Sequence, residues 1–374
     1  MKNVLLVKGN YGRAGGPETL IASMAKHLDQ TRFQPTLVVL RRDGVPEAPQ
    51  MDAGRLPIQR TDLPWGGLAS AGVAAWRLGR IAGQLNVNVI HTHDMRANLT
   101  ACLLRCAGDT PWIAHIHGWL GHTQTGKWRY YEQLDRRLIR RADLVLVGST
   151  AAREEVERAG ARRIGLLPNG VEMMPDNSWT DAGLAMRQQL GIPTSTLLAG
   201  VIGRVHQGKG QRYLIEAVGI LRAEGLDVRG VVVGEGPDLE QLRLLARDLN
   251  IAEFVLFPGF CTESLPYVAA CDVMAAPSLK ESLPLTVLEA MALRRPVIAS
   301  AVGDLPLVIQ NDVNGFLVPP ADAAAIATVL RSLHNNPDLK ATAGGFARAT
   351  VEKRYSAQAM SRQLEEYYLS VIRN

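Results

Sequence analysis

GVIGRVHQGKGQRYLIEAV, residues 200–218, leaves an apolar run at Gly203, crosses a glycine-rich turn holding Arg204 and Lys209, and enters a stretch with helical apolar spacing. A strand, a tight turn and a helix in that order make half of a parallel βαβ unit. A strand covered on both faces reads as a short, unbroken apolar run. The same run recurs outward from this one. Toward the amino terminus stand VLLV (4–7), LVVL (37–40), VNVIHTH (87–93), WIAHIH (112–117) and LVLVGS (144–149). LLAGVIG (197–203) itself begins the second series, followed by VRGVVVG (228–234), FVLF (254–257), VMAAP (273–277), PVIAS (296–300) and GFLV (315–318). Helical stretches separate these runs, so the expected fold class is α/β, with two doubly wound, Rossmann-like domains.

A length of 374 residues suits two cores, and 47% apolar with 21% charged content excludes a disordered chain. LLPNGVEMMPDNSWTDAG (166–183), with two prolines, Asn-Gly and short polar residues, reads as a connector. The expected plan is therefore a domain over 1–172, a linker over 173–190, a second domain over 191–354 and a terminal helix over 355–374. The four cysteines, Cys102, Cys106, Cys261 and Cys271, lack metal-finger spacing and fit a reducing compartment. MKNVLLVKGN holds too few apolar residues for a signal peptide, and no run approaches the roughly 18 needed to span a bilayer. The expected location is cytoplasmic.

The net charge of +5 is uneven. Residues 1–170 hold 23 Lys+Arg against 14 Asp+Glu, or +9, and residues 171–374 hold 18 against 22, or −4. A basic half favours anionic partners, or is an ordinary solvated surface. GVAAWRLGRIAGQL (72–85) and KWRYYEQLDRRLIRRAD (127–143) mix aromatics with arginines as interfacial helices do, with Tyr131, Leu134 and Leu138 expected toward the core. Peripheral contact with the inner face of an anionic membrane is one reading. Nucleic-acid binding is not expected, since no binding module accompanies the charge.

Ligands of open parallel sheets sit off the carboxyl ends of strands, so the loops there are the candidates. KGNYGRAGGPETLIASMAKHL (8–28) places Gly15 and Gly16 before a helix, where free amides attract an anion, but its spacing is not that of a nicotinamide site. His91, His93, His115 and His117 lie two apart in two strands, so each pair points to one face. Metal ligation, contact with substrate and plain burial are all open, and Gly118 leaves His117 the most exposed of the four. In the second half, Arg204 and Lys209 flank a turn able to grip a departing diphosphate. Gly203 to Lys209 matches G-x-x-x-x-G-K, yet Gly210 stands where a magnesium-binding hydroxyl is needed, so no ATPase is expected.

KESLPLTVLEAMA (280–292) puts Glu281 in a loop, Pro284 at an expected first helical position and Glu289 inside the helix, with the amides of Leu285 and Thr286 between the two acids. Hydroxyls at Glu281, an anion at the amides and hydroxyls at Glu289 match the order of groups in a sugar, a diphosphate and a ribose. The alternative is an acid that complements the helix dipole and another on the surface.

Taken together, GGPETLIASMAKHL, VIHTHD, HIHG, ADLVLVGST, LLPNGVE, GRVHQGKG, VVVGEGP, YVAACDVMAAPSLKESLPLTVLEAMALRRPVIAS and NGFLVPPAD resemble the family-four retaining glycosyltransferases. The resemblance implies the GT-B fold, two facing Rossmann-like domains with a cleft between them, and a terminal helix that crosses back to the first. It implies a metal-independent hexosyl transfer with no cofactor, from a UDP- or GDP-sugar donor to a glycan, lipid-linked or small-molecule acceptor in polysaccharide or glycoconjugate synthesis. Arg204 and Lys209 would bind the diphosphate, with Gly203 at the strand end beside them, Glu281 the transferred sugar and Glu289 the ribose. Gly15 and Gly16 would close over the donor, and His117 would face the sugar. ESLPLT replaces the commoner E-x-F-G-L-x, and Asp304 stands where a second glycine is usual, both at positions that the resemblance places beside the donor. A nucleotide-sugar 2-epimerase shares the fold, though its acidic catalytic set is not evident. A catalytically dead partner subunit should have lost Arg204, Lys209 or Glu281, and all three are present.

Overall fold

The structure, a computed structural model, describes residues 1–9, 16–41, 59–66, 70–106, 108–117, 119, 127–175 and 179–372. In chain order the first part holds β1 (Lys2–Gly9), α1 (Gly16–His27), β2 (Phe33–Arg41), β3 (Gln59–Pro64), α2 (Ala71–Gln84), β4 (Val87–Thr92), α3 (Met95–Arg105), β5 (Trp112–Ile116), α4 (Lys127–Leu138), β6 (Leu144–Val147), α5 (Thr150–Arg158) and β7 (Ile164–Leu166). There follow α6 (Thr180–Gln189), β8 (Leu197–Ile202), α7 (Gln211–Ala223), β9 (Val228–Val233), α8 (Leu239–Asp248), β10 (Val255–Gly259) and α9 (Leu265–Ala270). The chain continues through β11 (Val273–Ala276), α10 (Leu285–Ala292), β12 (Val297–Ser300), α11 (Leu305–Val308), β13 (Phe316–Val318), α12 (Ala323–Asn335), α13 (Pro337–Arg354) and α14 (Ala357–Val371).

Two compact units result, one of Met1–Gly170 with Ala357–Asn374, the other of Val171–Ser356. The first contains a parallel sheet in the order β3-β2-β1-β4-β5-β6-β7, the second a parallel sheet in the order β10-β9-β8-β11-β12-β13. The strands are almost fully buried because helices cover both faces, which is why they read as apolar runs and not as alternating ones. In each sheet the order reverses beside the first strand, between β1 and β4 and between β8 and β11. The loops leaving those strands diverge there and open a crevice.

Polar side chains start several helices. Asp94 accepts from the amides of Arg96 and Ala97 at α3, Ser149 from Ala152 at α5, and Asp322 from Ala325 at α12. Each satisfies amides that a helix cannot pair internally.

The stretch 173–190, expected to be a linker, contains α6 instead. Its Gly183 lies against the end of α9 so closely that a Cβ would come within 2.6 Å of the Ala269 carbonyl oxygen. Arg187 then binds the carbonyls of Ala270, Pro193 and Thr196 and the Asp272 carboxylate. Local composition favours a loop there, and packing against α9 overrides it.

The terminal helix α14 belongs to the first unit. Glu365 accepts from the Asp29 amide at 2.8 Å and pairs with Arg32, while Gln363 and Tyr367 donate to the Leu166 carbonyl. Tyr368, fully buried, meets His91 Nδ1 at 2.8 Å. Tyr368→Phe leaves that ring nitrogen buried and unpaired, at a cost of about 1–3 kcal/mol. Thermal unfolding of the variant is expected to begin several degrees lower, at about 2–4 °C per kcal/mol for a unit of this size.

Candidate active site

In the second unit the site is built where β8 and β11 part. Gly203 ends β8, its amide donating to the Val233 carbonyl at 2.9 Å, with open space where a Cβ would stand. The Arg204 side chain is exposed and makes no hydrogen bond or ion pair with another described residue, while its carbonyl accepts from Gln211 Nε2. His206 accepts from the Gly208 amide at 3.1 Å and so caps a 3-10 turn at Gln207–Lys209. Gly210 follows with φ +67°, in the left-handed region, and a Cβ there would stand 2.0 Å from the Pro277 carbonyl oxygen. Only glycine lets this loop lie on the end of β11. The Leu279 amide donates to the Gly208 carbonyl at 2.9 Å and joins the two loops.

That contact brings Lys209 to Glu281. Their side chains form an ion pair, and the carboxylate also accepts from Ser278 Oγ at 3.3 Å and from the Ser282 amide at 3.2 Å. Each of the two side chains, expected to meet a donor group, thus also has the other as a partner. Pro284 is also corrected. With ψ 138° it is extended and precedes α10, which starts at Leu285. No side chain caps α10, and the amides of Leu285 and Thr286 lie in its first turn, where an anion is favoured. Glu289 is not a surface residue. Burial raises the pKa of its carboxyl, opposed by a hydrogen bond with Ser264, and Oε2 is buried with no partner among the described residues.

In the first unit, β1 and β4 part in the same way. Asp94 bridges them, accepting from the Gly9 amide at 2.6 Å and lying 3.6 Å from Lys8 Nζ. The four histidines form one stack: His91 over His115 and His93 over His117, each pair with ring centroids 5.5 Å apart and planes within 4° and 11°. Along each strand the two rings are 4.3 Å apart. Loss of hydration, then repulsion among the imidazoles, holds His91, His93 and His115 well below the ordinary imidazole range, so all are neutral at pH 7. His117 retains exposed surface, yet loss of hydration around its ring, with repulsion from Lys8 and His91 adding, pushes its pKa down to about 3. Gly16 opens α1, whereas Gly15 and Gly118 lie outside the described residues.

His91, His93 and His115 offer nitrogens within 4.8 Å of one another. The His91 and His115 rings are nearly parallel, and the His93 ring is tilted 38° and 37° to them. Asp94 is already committed to Lys8 and three amides.

Asp135 and Trp119 escaped the sequence reading. Asp135 is the fully buried acid of α4, 4% exposed, with the Trp119 indole on one oxygen and Asn98 on the other. One aspartate in an arginine-rich helix carries no local signal of burial.

Two parallel-sheet α/β units, with cations, a helix start and enclosed carboxylates at the strand ends of the second, define a transferase of the GT-B class. Residues 184–350 match the family described as Glycosyl transferases group 1 and residues 14–173 match Glycosyltransferase Family 4, and the chain belongs to this family of glycosyltransferases. It is 29% identical over 304 residues to the D-inositol 3-phosphate glycosyltransferase of Corynebacterium jeikeium, covering 76% of this chain and 72% of that one. It is 28% identical over 243 residues to the alpha-D-kanosaminyltransferase of Streptomyces kanamyceticus, covering 63% of each. Anabaena HepE, solved in complex with UDP, superposes with a TM-score of 0.80 at 21% identity over 99% of this chain and 100% of that one. A glycosyltransferase of Rickettsia africae gives 0.82 at 19% identity over 100% and 99%.

The raised Glu289 carboxyl has a measurable consequence. A group whose folded pKa exceeds its unfolded value stabilises the protein fully below the unfolded pKa, and that contribution is lost as pH rises through the folded one. Glu289→Gln is therefore expected to melt higher than the parent at alkaline pH, with the gain shrinking as pH falls toward the ordinary glutamate range. Thermal melts across pH check this.

Proposed function

We propose that the protein is a retaining, metal-independent hexosyltransferase that moves a sugar from a UDP- or GDP-sugar to an acceptor hydroxyl in glycan or glycoconjugate synthesis. The carrying observation is the Lys209–Glu281 pair beside the uncapped start of α10, with the unpartnered Glu289 oxygen on the same helix. In this reading the diphosphate lies against the Leu285 and Thr286 amides, and Arg204 and Lys209 neutralise the charge it gains as the C1–O bond breaks. Diphosphate takes over the attraction of Lys209, which leaves Glu281 able to hold sugar hydroxyls. Glu289 Oε2 accepts from the ribose. The acceptor oxygen bonds to C1 and its proton passes to the departing phosphate oxygen, so no metal or protein nucleophile is required. His117, neutral and exposed, supplies one hydrogen bond to a substrate hydroxyl. The acceptor is a glycan, a lipid-linked glycan or a small molecule. A 2-epimerase would instead release free nucleotide without any acceptor.

Arg204→Ala and Lys209→Ala are each expected to lower turnover about 10²–10³-fold, the usual effect of losing one donor to developing charge. Parent-like rates in both would remove the leaving-group role. The same assay, run with chelator and read by the anomeric configuration of the product, should show undiminished turnover and a retained anomer.

Contact with an anionic membrane is a second reading, favoured by α2. Trp76 is 60% exposed there, with Arg80 over its ring at 5.2 Å, Val73 and Arg77 on the same outward face, and a buried row of Ala71, Ala74, Ala75, Leu78 and Ala82 behind. On the second basic stretch much of the charge is spent internally. Arg136 meets Trp119 and Glu155, Arg140 the Ala159 carbonyl and Arg141 the Cys106 sulfur. Tyr131, Leu134 and Leu138, expected toward the core, are half-buried. Among the described residues no helix is long and apolar enough to cross a membrane. Sedimentation with anionic vesicles at low salt is expected to capture the protein and to weaken for Trp76→Ala; no capture ends this reading.

A further inference from the structure

His91, His93 and His115 are fully buried, and among the described residues four of their ring nitrogens have no hydrogen-bond partner: His91 Nε2, His93 Nε2 and both nitrogens of His115. Each of these atoms gave up hydrogen bonds to water when the fold closed, and buried polar atoms seldom stay unpaired. The function proposed above uses none of them. The nitrogens that are paired leave the others available. His91 Nδ1 meets the Tyr368 hydroxyl at 2.8 Å, and His93 Nδ1 meets His117 Nε2 at 3.3 Å. With the proton on Nδ1 in both rings, each Nδ1–H donates to its neighbour and each Nε2 keeps a free lone pair. A coordinating imidazole is held in this way, one nitrogen donating to a neighbouring group and the other turned to an ion.

Register brings the three together. β4 and β5 run parallel with His91 beside Ile113, so residues 91, 93 and 115 share one face of the sheet. One nitrogen from each lies within 4.8 Å of the other two. Nitrogens bound at about 2.0–2.1 Å to a tetrahedral zinc stand about 3.3 Å apart, so an ion draws the three rings inward. Burial keeps all three imidazoles neutral, and neutral imidazole is the form that binds a metal. Lys8, whose charge reaches His93, is itself paired with Asp94 at 3.6 Å and so repels a dication less. A set of imidazoles without thiolate or carboxylate suits zinc, cobalt, nickel or copper and not magnesium or calcium, which take oxygen ligands.

We propose that the first unit binds one divalent ion of the zinc class through His91, His93 and His115, with a water or a small anion in the fourth position. The ion ties β4 to β5 and takes no part in the sugar transfer, whose leaving charge is met in the second unit. Because its ligands are enclosed, it enters as the chain folds, and a chelator outside the folded protein does not remove it.

The test refolds the full chain from denaturant with zinc or with cobalt(II) and then dialyses it against chelator. The product is expected to keep about one ion per chain, and the cobalt form to show the strong visible absorption of a four-coordinate site. With nitrogen-15 in the imidazoles, zinc should shift the ring signals of His91, His93 and His115 among the eight histidines of the chain. His93→Leu and His115→Leu are each expected to lose the ion, while His334→Ala, in α12 of the second unit, keeps it. Refolded protein that keeps no ion, the weak absorption of a six-coordinate cobalt, or an ion kept in either leucine variant overturns the proposal. Should those variants not fold, the parent's imidazole spectrum decides, and unmoved signals from the three rings overturn it. No readout here uses turnover, so an inactive protein would sink the transferase reading alone, and an ion-free one this proposal alone.

Discussion

Lys209 and Glu281 lie 72 positions apart, and their pairing is the contact on which the second unit's chemistry depends. It exists because Gly210, with no side chain and a left-handed backbone, lets the loop after β8 lie on the end of β11. A larger residue would drive the two loops apart, separating cation from acid and both from the start of α10. The pair also keeps two charges tolerable in a partly enclosed place. Neither is left uncompensated.

The two units meet the same topological problem with opposite chemistry. In each, the sheet order reverses and the strand ends part. The second unit fills that crevice with charges and free amides. The first fills it with imidazoles, neutral because dehydration and mutual repulsion both disfavour the charged form. Neutral rings cost far less to bury than ions, and the stack can extend into the core, where His91 meets Tyr368 of the terminal helix. Asp94 holds the ends of β1 and β4 together while capping α3, so one side chain serves both the sheet and the helix.

The parallel strands were legible because burial on both faces leaves a short apolar run that neither loop nor surface helix imitates. The glycine-rich turn with Arg204 and Lys209, and the acids around Pro284, were legible because each lies within one loop and its following helix. Gly15 falls outside the described residues, and Gly16 marks only where α1 opens. The helix over Thr180–Gln189 was not legible: the prolines and asparagines of the stretch before it and its own Gly183 favour a turn, and it forms through Gly183 against α9 and through Arg187 gathering three carbonyls and a carboxylate. Ala270 and Asp272 among those partners lie 83 and 85 positions from Arg187. Asp135 was equally hidden, because nothing within four residues distinguishes it from a solvated acid on a basic helix.

The amino-acid sequence by itself determined the α/β class, the parallel sheets, the family and the residue types at the strand ends, since each is written in short-range periodicity or in a motif confined to one loop. Only the tertiary structure decided that Lys209 holds Glu281, that Glu289 turns inward with an oxygen unpaired among the described residues, that four histidines gather and that Asp135 is buried against Trp119 and Asn98. Those facts depend on which loops a fold brings together and on how much water it removes. Neither quantity is a property of any single stretch of chain.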